Sequence, residues 1–164
     1  MKLLFLVCIS LLSFLHCRGQ QLIDSVLIDS ISIDGSTYLR KQILEGDAKL
    51  VRVYFSNGEV YREYHFKDGT FDQYYKEWHP NGKLRALTPY RNGKVHGHWE
   101  EWNEEGKRIL EADLVNGAGT MIDYYDDGIT KRQVGFIDSE GLYIKPPTCF
   151  MLDGTPCECP KVTQ

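Results

Sequence analysis

Apolar and aromatic residues return at fixed distances from a series of glycines along this chain. Five segments align without gaps: residues 36–46, 59–69, 83–93, 107–117 and 129–139. Their eighth position is Ile43, Phe66, Tyr90, Leu114 and Phe136, always apolar or aromatic. Their tenth is Glu45, Asp68, Asn92, Asn116 and Asp138, followed by glycine in four copies and by Ser139 in the last. Asp-Gly and Asn-Gly between apolar stretches predict tight hairpin turns, because both central residues need positive φ. The stretches before each segment agree too. Four residues before Gly58, Gly82, Gly106 and Gly128 stand Tyr54, Trp78, Trp102 and Tyr124, and seven before stand Val51, Tyr75, Trp99 and Met121.

Each unit of about 24 residues therefore reads as strand, turn, strand, turn. The predicted fold class is all-β: consecutive antiparallel hairpins forming one long meandering sheet, with the aromatic columns stacked along one face. Strands of this length rich in Tyr, Val, Phe and Trp suit a pleated, half-buried surface. Residues 36–45 also fit a helix, with Ser36 as N-cap and Gly46 as its stop, but their place in the repeat frame favours a strand. Residues 22–34 read either as a strand or as a semi-ordered leader. Ser139 in the glycine position marks the last unit as degenerate, as terminal repeats are.

The 164-residue chain divides into 1–19, 20–34 (leader or strand), 35–145 (the repeat domain) and a cysteine-containing tail, 146–164. Residues 1–19 read as a secretory signal: Lys2, an apolar run over 3–15, then small and polar residues, too short for a comfortable membrane span. Two processing routes stay open, cleavage after Gly19 and lipidation at Cys17. Both place the protein outside the cytoplasm, in the periplasm or anchored in the envelope.

Removing Lys2 and Arg18 from the 19 basic residues leaves 17 against 23 acidic ones. With no basic cluster, nucleic acid is not an expected partner. Nor is an electrostatic grip on anionic lipid, so membrane contact is expected only through an anchor at Cys17. Cys149, Cys157 and Cys159 remain in the tail, and an exported chain can join Cys149 to either of the other two. The odd count leaves one thiol over.

Residues 78–84 and 90–102 carry Trp-His-Pro-Asn-Gly-Lys-Leu, then Tyr-Arg-Asn-Gly-Lys and Gly97-His98-Trp99. This resembles the bacterial MORN-repeat variant, a family that includes proteins labelled YwqK-type antitoxin-like. The resemblance is sharpest over 74–117. It implies a chain of β-hairpins used as a scaffold or docking surface, with no catalytic residues to carry over and no cofactor. An exported relative would suit an immunity-type role against an envelope toxin.

Other chemistry is thinly represented. His96 and His98 form half a metal site without evident further ligands. Asp123, Asp126 and Asp127 lack EF-hand spacing and read as solvated turn residues. No nucleophile elbow, P-loop or dinucleotide fingerprint is present. The expectation is an exported, non-enzymatic protein that docks a protein partner, its candidate surface being Tyr54, Trp78, Trp99, Trp102 and Tyr124. The alternative is a carbohydrate or cell-wall binder using the same rings, or rings that only pack the hairpins together.

Overall fold

The computed structural model describes residues 25–33, 35–45 and 47–160. Residues 1–19, where a signal segment is expected, the lipidation candidate Cys17 and the first part of the leader lie outside the described residues.

The described chain is all β. Its strands are β1 (Ser25–Ile33), β2 (Ser36–Glu45), β3 (Ala48–Tyr54), β4 (Val60–Lys67), β5 (Thr70–Trp78), β6 (Leu84–Arg91), β7 (Lys94–Val95), β8 (Gly97–Trp102), β9 (Arg108–Val115), β10 (Ala118–Tyr124), β11 (Lys131–Ile137), β12 (Thr148–Phe150) and β13 (Pro156–Cys157). Each pairs antiparallel with its sequence neighbour in one sheet, except that β7 pairs only β6, which continues to β8. The meander expected from the glycine spacing is the architecture observed. Residues 36–45 form a strand rather than a helix, because β2 is paired along its length on both sides. The segment left open between strand and leader is β1 from Ser25 onward, in nine-residue register with β2.

Two turn types alternate, and they account for the glycine spacing. Tight turns centre on Asp68-Gly69, Asn92-Gly93 and Asn116-Gly117, with φ of 50° and 76°, 51° and 77°, and 54° and 89°. These are the left-handed pairs that Asp-Gly and Asn-Gly predict. Longer turns bring Gly58, Gly82, Gly106 and Gly128 to positive φ, each donating its N–H to the carbonyl three residues back. The units lock through these turns. Gly93 N–H donates to Phe71 O (2.8 Å) and Gly117 N–H to Val95 O (2.7 Å), so these two tight turns each cap the hairpin before them. On the other side, Asn81 Nδ2 and Lys83 Nζ donate to the carbonyls of Glu104 and Glu105 in the next long turn.

The last unit departs from the frame. Where Ser139 replaces the tight-turn glycine, the chain makes a long turn instead, with Gly141 N–H donating to Asp138 O. It then folds back over the sheet. A Cβ on Gly135 would lie 2.4 Å from Tyr143 Cε1, so the missing side chain is the seat of the Tyr143 ring. The Tyr143 hydroxyl accepts a bond from Gln133 Nε2 at 2.5 Å. Strands β12 and β13 then close the sheet, pinned by Tyr125 Oη donating to Phe150 O at 2.8 Å. The tail to residue 160 forms a cap at the sheet edge, with Cys149 buried and most of its other side chains exposed.

Cross-strand partners share a face of the sheet, so the registers sort every side chain. One row runs Asp29, Arg40, Val53, Arg62, Glu77, Ala86, Glu101, Leu110, Asp123, Gln133, Cys149 and Cys157. The buried side chains all belong to this face: Gln42, Val51, Val53, Glu77, Ala86, Thr88, Ala112, Leu114, Ile137 and Cys149. A one-layer sheet can bury one face only by curling toward it. Register shifts at Val53/Tyr54, Glu77/Trp78, Glu101/Trp102 and Asp123/Tyr124 supply bulges at the same point of each unit. Bulges bend a strand and raise its twist, which drives that curl.

Candidate functional site

The candidate rings occupy two faces rather than one. Tyr54, Trp78, Trp102 and Tyr124 each sit one residue after an inner-face residue, at the bulge, and so project from the outer face. They recur on every second strand of the meander, at roughly 10 Å intervals given the ordinary strand spacing. Trp99 pairs with Ala112 and lies on the inner face, against the core of Ala112, Leu114 and Ile137. Residues four and seven before a glycine differ by three positions, and a period of two puts them on opposite sides. The single stripe is therefore corrected to an outer column of four rings and one inner tryptophan. All five are half-buried.

The ring ladders themselves are built from other residues. Tyr38, Phe55 and Tyr61 form one cluster, with Tyr38 and Tyr61 stacked at 5.0 Å. Tyr64, Phe66, Phe71, Tyr75 and Tyr90 form a second, with stacked pairs at 4.6 Å (Phe66–Phe71) and 5.0 Å (Phe71–Tyr90). No ring pair joins members of the outer column among the described residues. Around that column the outer face is charged. Arg52 pairs with Glu63 (2.6 Å), and Arg108 with both Glu100 (3.0 Å) and Glu111 (2.5 Å). Tyr124 Oη donates to Glu111 at 2.5 Å. At the β1 end an open groove is lined by Ile28, Leu39, Lys41, Tyr54, Phe55, Ser56 and Gly58.

The inner face carries charges that sequence reading passed over. Glu77, 6% exposed, accepts bonds from Arg62 Nε (2.9 Å), Tyr75 Oη (2.5 Å) and Arg85 Nη1 (2.5 Å). Three strands converge on one carboxylate, and Arg85 reaches it because the bulge opposite Trp78 leaves that residue unpaired. Burial first, then the bond to Glu77, pushes the Tyr75 phenol well up. Glu101 and Asp123 hold the equivalent position in the next units, five residues before the long-turn glycine. Burial raises both carboxyls above their ordinary range, with Arg85 opposing at Glu101 and Arg132 at Asp123. Aligning that fifth position (Val53, Glu77, Glu101, Asp123) shows the acidic column in the sequence, but only the register shows that it faces inward.

The remaining candidates fall out as follows. Asp123 is a half-buried strand residue rather than a solvated turn residue. Asp127 does serve its turn, accepting from Ile129 N, Thr130 N and Thr130 Oγ1. His98 Nδ1 contacts Asp113 Oδ1 at 2.8 Å, a bond that holds its imidazole pKa up, whereas His96 Nδ1 lies 3.3 Å from Asn116 Oδ1. Gly97 between them has a positive φ (124°), and the two imidazoles face separate partners. No group of three or more His, Cys, Asp or Glu converges as a metal site among the described residues. In the tail, Cys149 is bonded to Cys159, and Cys157 is left free.

The hairpins define the class of protein: a β-repeat scaffold whose units interlock through their turns. Two segments, residues 49–68 and 74–92, match the family model of the MORN repeat variant. The first spans the β3–β4 hairpin and the second lies within β5–β6, each with its long turn and bulge. The later units keep the same turn, bulge and register. No curated protein matches the chain.

Proposed function

We propose that this chain is an exported, non-enzymatic scaffold that docks a protein partner along the outer face of its sheet. The observation that carries the reading is the outer column of Tyr54, Trp78, Trp102 and Tyr124. Core packing is carried by the opposite face and by other rings, so these four are spare for binding. Flat rings with a polar edge, set among ionic pairs, make the kind of surface that protein interfaces favour. An immunity-type role is the special case in which the docked partner is an envelope toxin.

A second reading rests on the same column. Half-exposed rings at regular spacing also suit stacking on sugar rings of a linear glycan. Capture from cell-envelope extract separates the two, with the chain as bait beside a Trp78→Ala/Trp102→Ala version. A stoichiometric protein retained by the first and lost with the second supports docking. Equal retention by both removes it, and quenching of tryptophan fluorescence by soluble cell-wall glycan alone supports the glycan reading.

A further inference from the structure

The three tail cysteines share one face of the cap. Cys149 lies in β12, 3% exposed, and its partner in the disulfide is Cys159, with Cα atoms 5.1 Å apart. The residue directly opposite Cys149 in the β12–β13 pair is the free, half-buried Cys157. Opposed residues of an antiparallel pair have Cα atoms roughly 4.5–5.5 Å apart. That lies inside the span of about 4.4–6.8 Å that a disulfide bridges. Cys157 and Cys159 are two residues apart, so an extended segment turns both toward Cys149. One buried sulfur thus has two partners in reach.

The segment that carries them is lightly paired. β13 pairs over two residues only, at the edge of the sheet, and no strand follows it among the described residues. β12 is held from two sides: it pairs with β11, also over two residues, and Phe150 O accepts the Tyr125 hydroxyl bond. An exchange of partner at Cys149 therefore asks only for a shift of 157–159 at this edge.

We propose that Cys149, Cys157 and Cys159 form a thiol–disulfide exchange site. The Cys157 thiolate attacks Sγ of Cys149. A new Cys149–Cys157 bond forms, the Cys149–Cys159 bond breaks, and Cys159 leaves as a thiolate that takes a proton from water. The step conserves sulfur oxidation state and needs no external oxidant. It requires the thiolate form of the attacking sulfur. The sulfur left out in either state is the group that an outside disulfide, on a protein or a small molecule, can engage.

The test is native alkylation of the full chain with iodoacetamide after equilibration at pH 8, followed by peptide mass mapping. Peptides with Cys8 and Cys17 are read separately. Exchange predicts two labelled tail species: Cys157 labelled with Cys149–Cys159 intact, and Cys159 labelled with Cys149–Cys157 intact. Label on Cys157 alone overturns the proposal. A Cys159→Ser variant, oxidised with glutathione disulfide, gives the second check. The proposal predicts a Cys149–Cys157 bond and no tail label, and two labelled tail thiols in a chain with native circular dichroism would overturn it.

Discussion

Glu77 sets the terms at the scale of single residues. A buried carboxylate is tolerated only when donors replace its water, and here Arg62, Tyr75 and Arg85 do so. Removing it strands two guanidinium groups on the inner face. Glu77→Ala is expected to cost about 3 kcal/mol, the lower end for breaking a buried pair because Arg85 is half in water. Urea unfolding measures it, and Glu77→Gln recovers part of the loss by keeping an acceptor. Glu101 and Asp123 behave oppositely. Their folded pKa values are raised by burial above the ordinary 4.5 and 3.8, so the folded state holds the proton longer than the unfolded chain. Their contribution is complete below those ordinary values and is lost as pH climbs through the raised ones. Glu101→Gln and Asp123→Asn should therefore raise Tm at pH 7, with the gain closing near pH 3. Thermal melts at the two pH values read the difference. The acidic column was visible as a sequence spacing. Its burial was not, because facing depends on which strand carries each bulge.

Hairpins and turns are where the sequence was most legible. Asn92-Gly93 demands positive φ at both positions, and glycine alone adopts it without strain. Gly93→Ala finds ordinary room near Thr70, so its expected cost of about 1–2 kcal/mol comes from the left-handed backbone alone. Equilibrium unfolding of that single variant checks it. The 13-residue steps between glycines were less transparent. They follow from a positive-φ residue four after the tight-turn glycine, Gln73 in one unit and Gly97 in the next. A glutamine in that conformation carries no local signal, so the extra residues look like loose spacing until the register is known. The aromatic columns divide for a different reason. Chemistry alone groups Trp99 with Trp102, and strand period separates them.

Across the described residues, the buried side chains lie on the inner face, and the outer face is the one proposed for contact. The inner face closes at its C-terminal end under Tyr143, which rests where Gly135 has no side chain. Gly135→Ala places a methyl group into that ring and should destabilise by about 1–3 kcal/mol, as overpacking does. Hydrogen exchange should then show faster opening of residues 142–150 with β3–β6 unchanged. Uniform loss across the sheet would mean that the cap and the repeats unfold as one. The cap itself was legible only as a cysteine pattern, since nothing in the spacing of residues 146–160 says that they return to the sheet.

The central claim is that the outer rings bind and do not hold the fold. It is tested most directly by comparing Trp78→Ala/Trp102→Ala with Trp99→Ala, measuring thermal stability and partner capture on the same samples. The account predicts that the double variant loses the captured protein and less stability than Trp99→Ala loses. Trp99→Ala, cut from the core, should drop by roughly 2–4 kcal/mol and still capture the partner while folded. A double variant that keeps its partner, or that melts as far as the Trp99 variant, would contradict the claim.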